Sequence, residues 1–299
     1  MLQRLRIYLR EMFPVVPRLL VGAIIFFEIY FVLLLNYRVL DFRIGRQEAV
    51  GTFTVFAFLL LLRIADDFKD YEGDKHLFPD RPLPSGRVSR RDLWVLLVVL
   101  ITVTTLGNFL FMNNLVWFIF LFTYGLLMSL WFFARDKIQN NLLLAVITHN
   151  PVMMILNLYI ISFTVIKYQL PAITSTTVLL AFTLYFPGLI WEVARKIRAP
   201  QDETDYVTYS RIFGYRKATR FVQVLTLVDI ATNFYLIYAI NRPLMVLLGI
   251  NTLIMTRHFS VYIADPTKFR LIDKVERYTI ITEIIMILSV VIYLLFGFR

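Results

Sequence analysis

A chain of 299 residues that is 59% hydrophobic and only 17% charged, with a mean hydropathy of +0.68, carries too little charge to cover a soluble domain. Its net charge of +10 is dispersed in short segments between apolar runs, which argues against a nucleic-acid-binding domain. The absence of cysteine excludes disulfides, thiolate metal sites and a cysteine nucleophile.

The N-terminal Met1-Leu2-Gln3-Arg4-Leu5-Arg6 continues through Arg10 and Arg18 into an apolar run too long for a signal peptide and followed by no small-residue cleavage site, so it is expected to stay as the first helix. Crossing a hydrocarbon core of about 30 Å takes roughly 20 residues. Candidate spans on that criterion fall near 15–37, 47–65, 92–112, 115–133, 142–166, 172–194, 218–240, 243–263 and 278–297. Asn113-Asn114 alone separates the third from the fourth, and Asn241-Arg242-Pro243 the seventh from the eighth, so both pairs are expected to be tight helical hairpins. The expected fold is an all-α integral membrane protein of about nine transmembrane helices, forming a single domain over 1–299.

Lys and Arg set the orientation: 25 of the 31 fall on the side of the N-terminus, which is therefore expected to be cytoplasmic together with every long loop, leaving Arg299 outside. A bacterial plasma membrane is the expected setting. Segments 63–91 and 195–220 share a mixed acidic and basic layout after an even-numbered span, four spans apart, which hints at an internal duplication.

The second span runs on into Arg63-Ile64-Ala65-Asp66-Asp67-Phe68-Lys69-Asp70-Tyr71-Glu72-Gly73-Asp74 without a helix breaker before Gly73. Helical spacing would place Asp66, Asp67, Asp70 and Asp74 on one broad face, where like charges repel and the helix C-terminus disfavours anions. A divalent cation would relieve both costs, and Mg²⁺ takes one or two carboxylates and completes its shell with water and phosphate oxygens. The plainer alternative is a solvated acidic face balanced by Arg63, Lys69 and Lys75. Next comes Pro79-Asp80-Arg81-Pro82-Leu83-Pro84-Ser85-Gly86-Arg87-Val88-Ser89, whose prolines and glycine predict a compact loop holding Arg81 and Arg87 beside the carboxylates, as forks for phosphate.

These two stretches together resemble the first signature of the UbiA superfamily of intramembrane prenyltransferases, Asn-Asp-x-x-Asp-x-x-x-Asp followed by Asn-Arg-Pro-Leu-Pro-Ser-Gly. Asp67, Asp70 and Asp74 fall on its three aspartates, while Asp66 and Asp80 replace its asparagines. The resemblance implies nine helices around a central cavity, Mg²⁺ as cofactor, and loss of diphosphate from an allylic prenyl chain. It assigns Asp67, Asp70 and Asp74 to the metal, with Asp66, Lys75, Arg81 and Arg87 toward the substrate.

The family's second aspartate cluster, after the sixth span, is degenerate here. The chain reads Trp191-Glu192-Val193-Ala194-Arg195-Lys196-Ile197-Arg198-Ala199-Pro200-Gln201-Asp202-Glu203-Thr204-Asp205. Glu192 stands for the first carboxylate and is a candidate metal ligand, but Arg195, Lys196 and Arg198 occupy the following turn. Either these cations hold the diphosphate directly, or Asp202, Glu203 and Asp205 fold back to supply a second metal site. The first is preferred, because Pro200 is expected to end the helix and move the later acids off its face.

Ionisable groups within spans are costly, which singles out Glu28, His149, Asp229 and Glu283. His149 is a candidate base for the acceptor, and Asn150, preceding Pro151, a polar contact where the fifth span is expected to kink. The expected activity is Mg²⁺-dependent ionisation of a prenyl diphosphate and transfer to a lipophilic or aromatic acceptor within membrane lipid. A terpene cyclase and a non-enzymatic lipid-binding or transport protein are the alternatives.

Overall fold

The computed structural model describes residues 1–183, 185–204 and 207–297; Arg299, on which the C-terminal orientation was to be tested, lies outside them. Among the described residues every regular element is helical. Helix α1 (Leu2–Met12) is separate from the first span. Leu5, Tyr8, Leu9 and Met12 recur at helical spacing and pack inward. Pro14 ends it by forcing Phe13 out of helical backbone.

The apolar α2 (Val15–Asn36) follows, then α3 (Arg46–Lys69), whose start is capped by the Glu48 side chain accepting from the Gly45 N–H at 2.9 Å. A short α4 (Tyr71–Leu77) precedes the proline-rich loop, where Gly86 takes a φ of +76° that a side chain would resist. Ser89 and Asp92 form a reciprocal capping box that opens α5 (Arg90–Phe111).

α6 (Leu115–Ser129) is where the sequence reading needs adjustment. At 15 residues it rises about 22 Å, short of a hydrocarbon core. It stops at a 3₁₀ turn, Trp131–Phe133, in which all three aromatic residues have positive φ, and the Lys69 ammonium sits 4.7 Å from the centre of the Trp131 ring.

Beyond a short α7 (Arg135–Gln139), the fifth predicted span is divided at Asn150 into α8 (Leu142–His149) and α9 (Pro151–Tyr168), as the proline demands. Then come α10 (Ser175–Phe182), α11 (Tyr185–Ala194), a short α12 (Tyr209–Phe213), α13 (Tyr215–Tyr238), α14 (Leu244–Ala264) and α15 (Leu271–Phe296). The last starts seven residues earlier than its apolar core suggests, because Leu271 and Val275 are buried along its first turns. Eight helical segments among the described residues are long and apolar enough to cross a membrane. The chain is an integral membrane protein.

The chain divides into two compact units. The first comprises Met1–Phe27, Asp41–Phe133 and Ser162–Gln169; the second comprises Glu28–Leu40, Ala134–Ile161 and Leu170–Arg299. In the first, α3 packs on α5 and α6, and α1 packs on α5. Its core joins Tyr8, Phe13, Phe56, Leu60, Ile64, Leu83 and Leu93. Gly51 lets α3 approach so closely that a Cβ there would strike the Phe26 ring. In the second unit α13 packs on α11 and α14, and α15 on α14 and α11, around Ile190, Val222, Phe259, Tyr262, Val275 and Tyr278.

Candidate functional site

In the first unit the acidic segment does not form one uninterrupted helix. α3 ends at Lys69 and Asp70 caps it with φ −97° and ψ 5°, although the ladder bridges the junction, with Asp70 N–H donating to Asp66 O and Asp74 N–H to Asp70 O, both at 2.9 Å. The four aspartates do not share one environment. Asp67 and Asp74 are buried, at 5% and 8% exposure, whereas Asp66 and Asp70 face outward.

Each inward carboxylate is met by donors. Arg63 Nη2 donates to Asp67 Oδ1 at 2.6 Å, and the fully buried Tyr8 hydroxyl donates to Asp67 Oδ2 at 2.6 Å. Arg81 Nη1 donates to Asp74 Oδ2 at 2.7 Å while its guanidinium lies 3.8 Å from the centre of the Phe78 ring. Asp67 and Asp74 also feel one another's charge. Burial first, and Asp67 second, push the Tyr8 phenol well above its ordinary value, so it is a donor at any ordinary pH.

The outer groups pair locally: Asp66 with Lys69 at 3.0 Å, and Glu72 with Lys75 at 3.3 Å. Lys75 also lies over the Tyr71 ring at 4.4 Å. Arg87 departs from its expected place beside the carboxylates. It donates twice to Glu11 of α1, at 2.7 and 2.8 Å, and to Asp80 O at 2.5 Å, and its hydrogen bonds hold the Glu11 carboxyl below its ordinary value. Sequence reading missed Tyr8 and Glu11 because it merges the N-terminal residues with the first span, whereas Leu5, Tyr8, Leu9 and Met12 recur at the spacing of an independent amphipathic helix.

In the second unit α11 ends at Ala194, earlier than the expected stop at Pro200; Ala199, before that proline, is extended, with φ −67° and ψ 151°. Arg195 and Lys196 do not stand free. They bind Glu192 at 2.5 and 2.9 Å, and Arg195 also lies over the Trp191 ring. Arg198 is fixed by its N–H to Ser210 Oγ at 2.9 Å and by Nη1 to Thr204 Oγ1 at 2.8 Å. Glu203 accepts from Thr208 and Ser210, and Asp205 lies outside the described residues.

A polar cavity of about 410 Å³ is lined by Arg195, Arg198, Asp202, Tyr262, Phe269 and Arg270, among others, so Arg270 joins the expected cations. A second, apolar cavity of about 280 Å³ includes Val193, Tyr209, Phe213 and Phe221.

His149 ends α8 with Nδ1 3.1 Å from Ala145 O and 3.0 Å from Thr148 Oγ1. Asn150 caps the helix with its N–H, and its Nδ2 finds no partner among the described residues. Asp229 is held on its own helix by Asn233 at 3.2 Å, and by Tyr278 of α15 at 3.4 Å. Glu28 and Glu283 meet each other.

No three His, Asp or Glu side chains converge closely enough among the described residues to enclose an ion unaided. The donor set still suits Mg²⁺, which needs one or two carboxylate oxygens and draws the rest from water and phosphate; Asp67 and Asp74 are the buried carboxylates that could offer them.

No curated protein matches the chain in sequence. A solved structure of digeranylgeranylglyceryl phosphate synthase resembles it over 98% of each chain, with a TM-score of 0.65 at 16% identity, a likeness of fold. The model of the UbiA prenyltransferase family matches residues 19–269, through both charged segments and seven of the eight membrane-length helical segments. The chain belongs to the UbiA prenyltransferase family.

Proposed function

We propose that the chain is a Mg²⁺-dependent prenyltransferase that breaks the C–O bond between an allylic carbon and diphosphate, then passes the prenyl group to a lipophilic acceptor. The observation that carries this reading is the pair of inward carboxylates, Asp67 and Asp74, each held by an arginine within a family member's first charged segment. Bound Mg²⁺ would neutralise charge on the leaving diphosphate.

The chain's own groups do the rest. Asp67 and Asp74 would hold the cation, with Asp70 as a further ligand. Arg81 offers a planar fork that can exchange Asp74 for a phosphate. Arg195 and Lys196 are oriented by Glu192, itself a candidate ligand, and with Arg198 offset the charge of the departing electron pair. The cation left on the prenyl carbon is attacked by the acceptor, whose proton must then leave; His149 is the candidate base. The N-terminus and the charged loops face the cytoplasm on this reading.

The test is product analysis in lipid nanodiscs with a series of prenyl diphosphates, with and without candidate acceptors. A glyceryl phosphate ether is the first acceptor to try, following the name of the structural neighbour. A conjugate supports the proposal. A cyclic hydrocarbon or alcohol formed without acceptor makes the protein a cyclase, and unchanged diphosphate in every mixture overturns enzymatic function.

A further inference from the structure

Helix α1 forms one wall of the acidic cluster. Its fully buried Tyr8 reaches Asp67, 59 positions away in the chain, with a hydrogen bond of 2.6 Å. Arg63 holds the other oxygen of the same carboxylate at 2.6 Å. A carboxylate oxygen accepts in two directions. Among the described residues one donor reaches each oxygen, which locks the group against rotation and leaves each a second acceptor direction.

The helix is itself held at both ends. Arg4 donates to the two oxygens of Asp92 at 2.7 and 2.9 Å, and Glu11 accepts twice from Arg87. Between these anchors Tyr8 packs in the same core as Phe56, Ile64 and Leu83. Exposed ion pairs are individually weak. Anchored at both ends and packed in the middle, an 11-residue helix has little freedom to move Tyr8 away from Asp67.

We propose that Tyr8 is a positioning residue, holding Asp67 in the one orientation in which its open oxygen directions meet a divalent cation. This rests on the metal-dependent reading above and adds to it a part of the chain preceding the matched family region, residues 19–269. A preset ligand loses no rotational freedom on binding, and hydrogen-bond partners that orient a metal ligand commonly change affinity by about 10- to 100-fold.

The experiment is a Mn²⁺ titration, followed by electron paramagnetic resonance, of the full chain in nanodiscs for wild type, Tyr8→Phe and Asp67→Asn. Tyr8→Phe keeps the ring and removes only the donor. The expected result is Mn²⁺ binding weaker by about tenfold and a matching rise in half-saturating Mg²⁺ for turnover, with kcat recovered at saturating Mg²⁺ and a small fall in melting temperature from the donor lost at the buried Asp67 carboxylate. Wild-type Mn²⁺ affinity in Tyr8→Phe overturns the proposal. So does a kcat that stays depressed at saturating Mg²⁺, since Tyr8 would then act on the fold and not on metal binding.

Asp67→Asn separates the two readings. If it binds Mn²⁺ like wild type, the metal assignment of Asp67 fails, whatever Tyr8 does. If Tyr8→Phe does not fold, the double variant Arg4→Ala, Glu11→Gln loosens α1 at its ends and takes the same titration: weaker binding supports the proposal and unchanged binding overturns it.

Discussion

The two charged segments look alike in sequence but are neutralised by different means. After α11, the pairing is local: Glu192 binds Arg195 and Lys196, three and four positions on, so one helical turn satisfies itself. After α3, Asp67 keeps a local partner in Arg63, four positions back, but the buried carboxylates also draw on groups beyond their own helix. Asp67 needs Tyr8 of α1, and Asp74 needs Arg81 from the proline-rich loop. Charge set by spacing survives small movements of the fold, whereas charge set by tertiary contacts is lost when the contacting element moves. The first segment is thus the one whose chemistry can be disturbed from a distance.

The largest effect expected from breaking this contrast is at Asp67. Asp67→Asn keeps the shape but removes the charge that Arg63 and a cation share, and turnover should fall by at least about 100-fold. Single-turnover measurement with excess Mg²⁺ checks this, and near-normal turnover would remove Asp67 from the metal site. Arg81→Ala comes next. It leaves the buried Asp74 without its donor, at a cost of about 1–3 kcal/mol, visible as a lower melting temperature together with a raised KM for prenyl diphosphate.

In the second unit the double change Arg195→Ala, Lys196→Ala should weaken prenyl diphosphate binding by about 2–4 kcal/mol if those cations hold it. Asp202→Ala should cost much less, and calorimetry on both proteins decides between them. If Asp202→Ala instead removes the magnesium dependence while the basic pair binds normally, the turn after α11 is a conventional metal site. The smallest effect should come from Glu11→Gln, which weakens one exposed pair with Arg87. Its stability should fall by less than about 1 kcal/mol, with a small loss of protection against hydrogen exchange confined to residues 2–12.

Much of the fold follows from the sequence alone. Apolar runs of about 20 residues are expected to be helical, since in lipid a single segment can satisfy its own backbone only as a helix. Asn150-Pro151 divides a helix wherever it occurs, and the local bonds of Glu192 follow from spacing. Even so, 115–133 yielded only a 15-residue helix, because three consecutive aromatic residues adopt positive φ after it. That backbone accompanies a ring contact with Lys69, which no local pattern announces.

The site divides along the same line. The spacing of Asp67, Asp70 and Asp74 and the loop from Pro79 to Gly86 were readable, because both are short-range chemistry. Which aspartates are buried was not, because that depends on the elements that pack against them. Nor was the turning of Arg87 toward Glu11, or the reach of Tyr8 to Asp67: the partners lie 76 and 59 positions apart, and only the docking of α1 brings them together. Sequence determined which residues could carry charge and metal, since that is a property of each side chain. Tertiary structure decided which carboxylates are buried and what holds them, since burial and long-range hydrogen bonds exist only once separate helices have packed.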